Sequence, residues 1–203
     1  SAAKNLADLA ASEPNLEVRA QLACTAKRLP AADALPIVRN LLAHDRDAAD
    51  PRQPLLLWWA IEQHAAHVVP PSGGTDAGTT AGVDSSPGSP STPLPAEAGT
   101  TYLFADRELW RAPLVQQHLL SRLMRRFAAT GKRDDLLTCA RLFALSPGPE
   151  QTAQLTRGFE EAYQGRPMAG LPEELLSAME RAGGESVLIG ARRHYDDERY
   201  SWN

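Results

Sequence analysis

Breakers placed about one short helix apart dominate this sequence. Pro30 closes one stretch, and Gly131, Pro147, Gly165 and Gly183, 16 to 18 residues apart, close others in which apolar residues recur at the three- and four-residue spacing of an amphipathic helix. Helices this short are marginal alone and bury their apolar stripes only against one another. The signals repeat without an identical motif, which is how degenerate helical repeats look when their members share a core by stacking. The expectation is an all-α, irregular HEAT-like helical-repeat solenoid of about seven or eight helices.

In "SEPNLEVRAQLACTAKRLP", Asn15 is placed to cap, Glu17 favours the first turn, and Val18, Leu22, Cys24, Thr25 and Leu29 fall on or near one side. A second helix is expected near Asp33, with Pro36 in its opening turn and Leu35, Val38, Leu41 and Leu42 facing the same core. The third, in "RQPLLLWWAIEQHAAHVV", opens after Asp50 and carries two adjacent tryptophans. Neighbours on a helix diverge by about 100 degrees, so one tryptophan is buried more deeply. Trp58 is assigned to the core with Leu57 and Ile61, and Trp59 to a groove or neighbouring helix. Further on, Asp106 starts a short capped turn, and Val115, Leu119, Leu123 and Phe127 form a stripe. Leu136, Ala140 and Phe143, then Leu155 and Phe159, then Leu175 after Pro172, complete the expected core.

Between these groups the composition changes. Residues 70–100 are dominated by Pro, Gly, Ser, Thr and Ala and have little apolar surface to offset the entropy of ordering. They are read as a flexible loop or linker between N-terminal helical repeats at 1–69 and C-terminal ones at 101–183. Residues 184–203 form a polar tail with aromatic residues.

The formal net charge of −4 does not supply the global positive potential of a dedicated nucleic-acid binder. No run reaches the roughly 20 apolar residues that cross a bilayer, and "SAAKNLADLAASEP" lacks the apolar core of a signal peptide. Cys24 and Cys139, 115 residues apart in helical patterns, fit neither a redox nor a zinc motif and are read as buried, unpaired thiols.

His64 and His67 stand on neighbouring helical surfaces, a spacing compatible with two metal ligands, but no HExxH or further ligand accompanies them. Ordinary, partly exposed histidines on a last helical turn account for them, and no metal is assigned. His44, Asp45, Asp47 and Asp50 make an acidic bend without the EF-hand pattern, read as solvated turn chemistry. No GxSxG elbow or activated cysteine is present, so no catalytic residue and no cofactor is assigned. Arg122, Arg125, Arg126, Lys132 and Arg133 form the strongest local charge feature and are the candidates for anion binding.

The stretches "EPNLEVRAQLACTAKRLPAADALPIVRNLLAHDRDAADPRQPLLLWWAIEQHA" and "LFADRELWRAPLVQQHLLSRLMRRFAATGKRDDLLTCARLFAL" resemble the HEAT-like helical-repeat region of planctomycete-type membrane-bound dehydrogenase and haem-binding multidomain proteins. The likeness runs over residues 12–183, interrupted at 70–100. It implies a bacterial connector or scaffold in a periplasmic or otherwise extracytoplasmic setting. It does not carry haem binding here, because no CxxCH occurs, nor dehydrogenase activity, because the propeller of those proteins is not in this chain. The leading functional expectation is a non-catalytic scaffold for a protein partner or neighbouring domains, with Trp59, His64, His67 and Trp110 as contact candidates. The alternatives are a small-ligand or hydrolytic enzyme with a site between helices, around Glu62, His64 and His67, and anion or nucleic-acid binding through the basic face, with nucleic acid the less favoured partner.

Overall fold

Alternate helices run side by side in this protein, and that relation organises the rest of the structure. The computed structural model describes residues 2–71, 102–168 and 170–183. They form α1 (Ala2–Ser12), α2 (Leu16–Ala26), α3 (Ala31–Leu42), α4 (Gln53–Gln63), α5 (Leu120–Thr130), α6 (Arg133–Leu145), α7 (Pro149–Tyr163) and α8 (Glu173–Arg181), with short 3-10 turns between several of them. The expected linker, apart from Pro70 and Pro71, and the expected C-terminal tail lie outside the described residues.

α1 packs on α3, α2 on α4, α5 on α7 and α6 on α8. In each pair the two helices point the same way. Asn40 Nδ2 donates to Ala7 O and His44 Nε2 lies 2.7 Å from Ala10 O, so α3 follows α1 in parallel register. Glu17 pairs with Arg52 at one end of α2 and α4, and His64 Nε2 lies 3.1 Å from Ala26 O at the other. Arg125 meets Glu161 and Arg166 donates to Ala129 O along α5 and α7, while Arg133 reaches Glu174 at the start of α6 and α8. These links join residues 33 to 41 positions apart, within or near the period of roughly 34–47 residues of stacked helical repeats. The described residues form an all-α fold of eight helices in a repeat-like, solenoid arrangement.

Local chemistry accounts for the boundaries. Asn15 Oδ1 accepts the Glu17 N–H at 2.9 Å and starts α2. Asp50 Oδ1 accepts the N–H groups of Arg52 and Gln53 and starts α4. Gly131 ends α5 at φ 66°, a left-handed conformation that only glycine adopts at little cost. Two boundaries differ from expectation. α3 begins at Ala31, directly after Pro30, so Pro36 lies inside the helix rather than in its opening turn. α1 is a further helix whose buried contacts come from Ala7 and Ala10.

One continuous hydrophobic cluster runs from Ala7 to Met179. Val18, Leu29 and Trp58 pack on its edge; the other expected core residues are buried in it. Among the buried polar groups, both side-chain amide atoms of Gln53 and Nη1 of Arg122 are enclosed without a hydrogen-bond partner, whereas Arg19 and Asp47 satisfy each other. Arg19 Nε donates to Asp47 Oδ2 at 2.7 Å, with a second bond from Nη2 to Oδ1, and Arg19 Nη1 donates to Glu13 O. Asp47 is 2% exposed, so the acidic bend expected to be solvated instead carries a buried ion pair, and removing either partner would strand the other charge. The carboxylate also raises the Arg19 pKa further, through its hydrogen bond.

The chain on either side of residues 72–101 is tied together by side chains and backbone. Phe104 N–H donates to Val68 O at 3.0 Å, Arg141 Nε donates to Pro70 O at 2.7 Å, and Arg39 pairs with Asp106. A π-helical turn, Val115–Leu119, leads into α5 and sets His118 Nε2 2.8 Å from Ala48 O.

The backbones of α5 and α7 come together at Gly158. A methyl group on that residue would sit 2.1 Å from Ser121 O and 2.8 Å from Ser121 Cα. Alanine is the better helix former by about 1 kcal/mol, yet Gly158→Ala should destabilise the protein by about 1–3 kcal/mol because α5 and α7 must separate. Urea unfolding reads the sign directly, and a stabilised variant would mean the helices are not in backbone contact.

Asp106 supplies a second test. The Arg39 guanidinium, helped by the Glu108 N–H, holds its carboxyl below the ordinary carboxylate range against the opposing effect of burial. A carboxyl lowered on folding contributes stability that is present above the unfolded value of about 3.9 and lost as pH falls through the lower folded value. Arg39 is half-exposed, so solvent screening limits the pair to about 0.5–1 kcal/mol. The stability difference between the native protein and Asp106→Asn should therefore be of that size at pH 6 and shrink as the pH is lowered from 4 towards 2. A difference that does not change with pH would remove the ion pair as its cause.

Candidate functional site

α4 presents an apolar strip to solvent. Capping by Asp50 fixes its first turn, and Leu57, Ala60 and Ile61 turn into the core, so Leu55 and Trp59, one turn apart, face outward. Leu55 is 38% exposed and Trp59 43%, and with Leu9 on α1 they are the large hydrophobic side chains exposed among the described residues. Trp58, on the adjacent face, is half-buried against the core.

Beside this strip a hollow of about 330 Å³ lies between α2 and α4. Leu16, Ala20 and Cys24 line it from α2, and Leu55, Leu56 and Trp59 from α4. At the amino-terminal end Arg52 Nη2 lies 2.9 Å from Glu17 Oε1. Two backbone N–H groups, first that of Gln53, hold the nearby Asp50 carboxyl below its usual pKa. Towards the carboxy-terminal end the Lys27 ammonium sits 5.5 Å from the Trp59 ring centroid, within cation–π range.

The remaining contact candidates do not join this strip as exposed groups. His64 is 8% exposed and its ring nitrogen faces the last carbonyl of α2; a carbonyl can only accept, so that nitrogen carries the proton. It is a helix-capping group and not the partly exposed histidine expected. His67 is exposed in the following 3-10 turn. Trp110, expected at a contact surface, is fully buried, with its indole N–H donated to Phe104 O at 3.1 Å and its ring set edge-on to Phe104. Nothing in the local sequence distinguishes it from Trp59, because its burial comes from the packing of the turns at 103–111.

The basic residues are also distributed. Arg125 faces Glu161, which Arg157 shares, and Arg133 faces Glu174. Arg126 lies over the Phe127 ring, Lys132 is exposed before α6, and Arg122 is half-buried, with Nη1 enclosed and lacking a hydrogen-bond partner. Carboxylates of α7 and α8 thus interleave with the guanidinium groups.

Among the described residues there is no group of three or more His, Cys, Asp or Glu side chains able to hold a metal ion, and no helix is long and apolar enough to cross a membrane. Larger hollows of about 590 Å³ at the end of α7 and about 460 Å³ at the turn between α6 and α7 do not include His or Cys in their linings.

Comparison of the chain with protein-family models, curated proteins and solved structures finds no match in any of the three. The resemblance to planctomycete-type dehydrogenase and haem-binding proteins is therefore withdrawn, and with it the basis for an extracytoplasmic setting. Helical spacing carried that resemblance, and any stack of short amphipathic helices has the same spacing. What stands is an all-α, helical-repeat fold without an evident catalytic constellation among its described residues.

The two thiols differ in a way that can be checked. Burial pushes the Cys139 thiol far up from its ordinary value, with the nearby Asp135 charge adding to it, whereas Cys24, expected to be buried, is partly exposed where α2 lines the groove. Iodoacetamide at pH 8 should alkylate Cys24 in the native protein and Cys139 only after unfolding. Equal native rates, read by peptide mass spectrometry, would contradict the packing of α6.

Proposed function

We propose that this domain is a non-catalytic helical-repeat scaffold that contacts a protein partner, or a neighbouring domain of a longer chain, through the outward face of α4 and the groove beside it. The observation that carries the reading is the pairing of Leu55 and Trp59, one turn apart and each more than one-third exposed. A tryptophan beside a concave apolar surface is the residue type that most often anchors protein interfaces. Stacked helices supply an extended surface without needing reactive groups. The interleaved carboxylates near Arg125 and Arg133 argue against the basic face as the main site, and the buried, carbonyl-bound His64 argues against an enzyme site centred on the histidines.

A photo-crosslinking amino acid at Gln21, exposed in the lining of the groove, compared with one at the exposed Glu150 on α7, tests this with Trp59 in place. Discrete protein adducts are expected from position 21 in an extract of the native cells and not from position 150. Absence of adducts at 21, or the same adducts at both positions, would count against the reading.

A further inference from the structure

We infer that the groove between α2 and α4 receives an amphipathic helix of about three turns, with its apolar side on Leu55 and Trp59 and its carboxylates against Lys27 and Arg28. This rests on the docking reading and adds the chemistry of the occupant.

The shape comes from the two walls. α2 and α4 are parallel and 11 residues each, so each is about 16 Å long. An amphipathic helix of similar length lies along such a trough with its apolar stripe inward.

The charge comes from what is already neutralised and what is not. At the amino-terminal end Glu17 and Arg52 neutralise each other, and Asp50 keeps its negative charge while accepting two backbone N–H bonds, so no positive charge is in excess there. At the carboxy-terminal end Lys27 and Arg28 are adjacent and exposed, and among the described residues neither has a carboxylate within ion-pair distance. Glu62 on α4 pairs with neither. The Lys27 ammonium is held over the Trp59 ring, so positive charge sits at the apolar anchor itself. An occupant that covers Trp59 partly removes Lys27 from water, which strengthens its attraction to a carboxylate and its repulsion of another cation.

The test uses two dye-labelled 14-residue helical peptides with the same leucine stripe, one with glutamates and one with lysines at its polar positions. Fluorescence anisotropy should show the glutamate peptide binding at least tenfold more tightly than the lysine peptide. The Lys27→Glu/Arg28→Glu variant should reverse that preference, and Trp59→Ala should weaken the glutamate peptide at least tenfold. Bound glutamate peptide should also slow alkylation of Cys24, which lines the groove. All three positions are exposed, and an unchanged circular-dichroism melting profile checks that each variant is folded.

The inference is overturned if the peptides bind equally, if the lysine peptide is preferred, if neither binds, or if binding ignores Trp59. It is also overturned if the chain itself dimerises through Trp59 in sedimentation, since the groove would then belong to a second copy. Crosslinks from position 21 to a different protein alongside any of these results would leave the docking reading standing, whereas their absence removes the reading itself.

Discussion

A helix of eleven residues leaves the carbonyls of its last turn without partners inside the helix, and a stack of such helices multiplies the problem at every turn of the chain. This protein meets it in three places by the same geometry. His44, just past α3, reaches Ala10 near the end of α1; His64, just past α4, reaches Ala26 at the end of α2; Arg166, just past α7, reaches Ala129 near the end of α5. Because alternate helices are parallel, their carboxy-terminal ends lie side by side, and a donor leaving one helix is at hand for the other. Each bond also sets how far one helix is displaced along the next, so capping and register are one interaction. The Arg166 guanidinium also complements the partial negative charge at the end of α5.

Much of the fold is legible in the chain because breakers and apolar spacing are local signals. Gly131 ends α5, Asn15 starts α2, and Leu22, Val38, Leu57, Leu123 and Phe159 are buried where the spacing puts them. α1 is harder to read because its buried residues, Ala7 and Ala10, are small, and alanine marks a close helix contact no differently from a solvated helix position. The start of α3 is obscured by Pro30, which stops one helix and is also tolerated immediately before the next.

The candidate site is legible only in part. The adjacency of Trp58 and Trp59 on one helix forces them apart, and that alone points one of them outward. The fates of His64, Asp47 and Trp110 depend on residues 38, 28 and 6 positions away, namely Ala26, Arg19 and Phe104. Local pattern carries no information about which distant donor or acceptor will arrive, so a buried capping histidine and a solvated one look alike in sequence. The basic cluster shows the same limit: five cations at helical spacing read as a patch until Glu161 and Glu174 arrive from helices further along.

The π-helical turn before α5 has a different kind of consequence. Buried residues come in pairs along this stretch: Leu114 and Val115, Leu119 and Leu120, Leu123 and Met124, Phe127 and Ala128. Two residues separate the later pairs, but three, Gln116, Gln117 and His118, separate the first two. The widened turn absorbs the extra residue, so the chain before it and the chain after it are both in phase with their neighbours. A uniform α-helix would advance by about 100 degrees for that residue and turn one set of apolar pairs away from the core. The phase of the helix across this turn is thus written as a count of residues and not as their chemical identity, a kind of information that substitution leaves untouched and a single deletion erases.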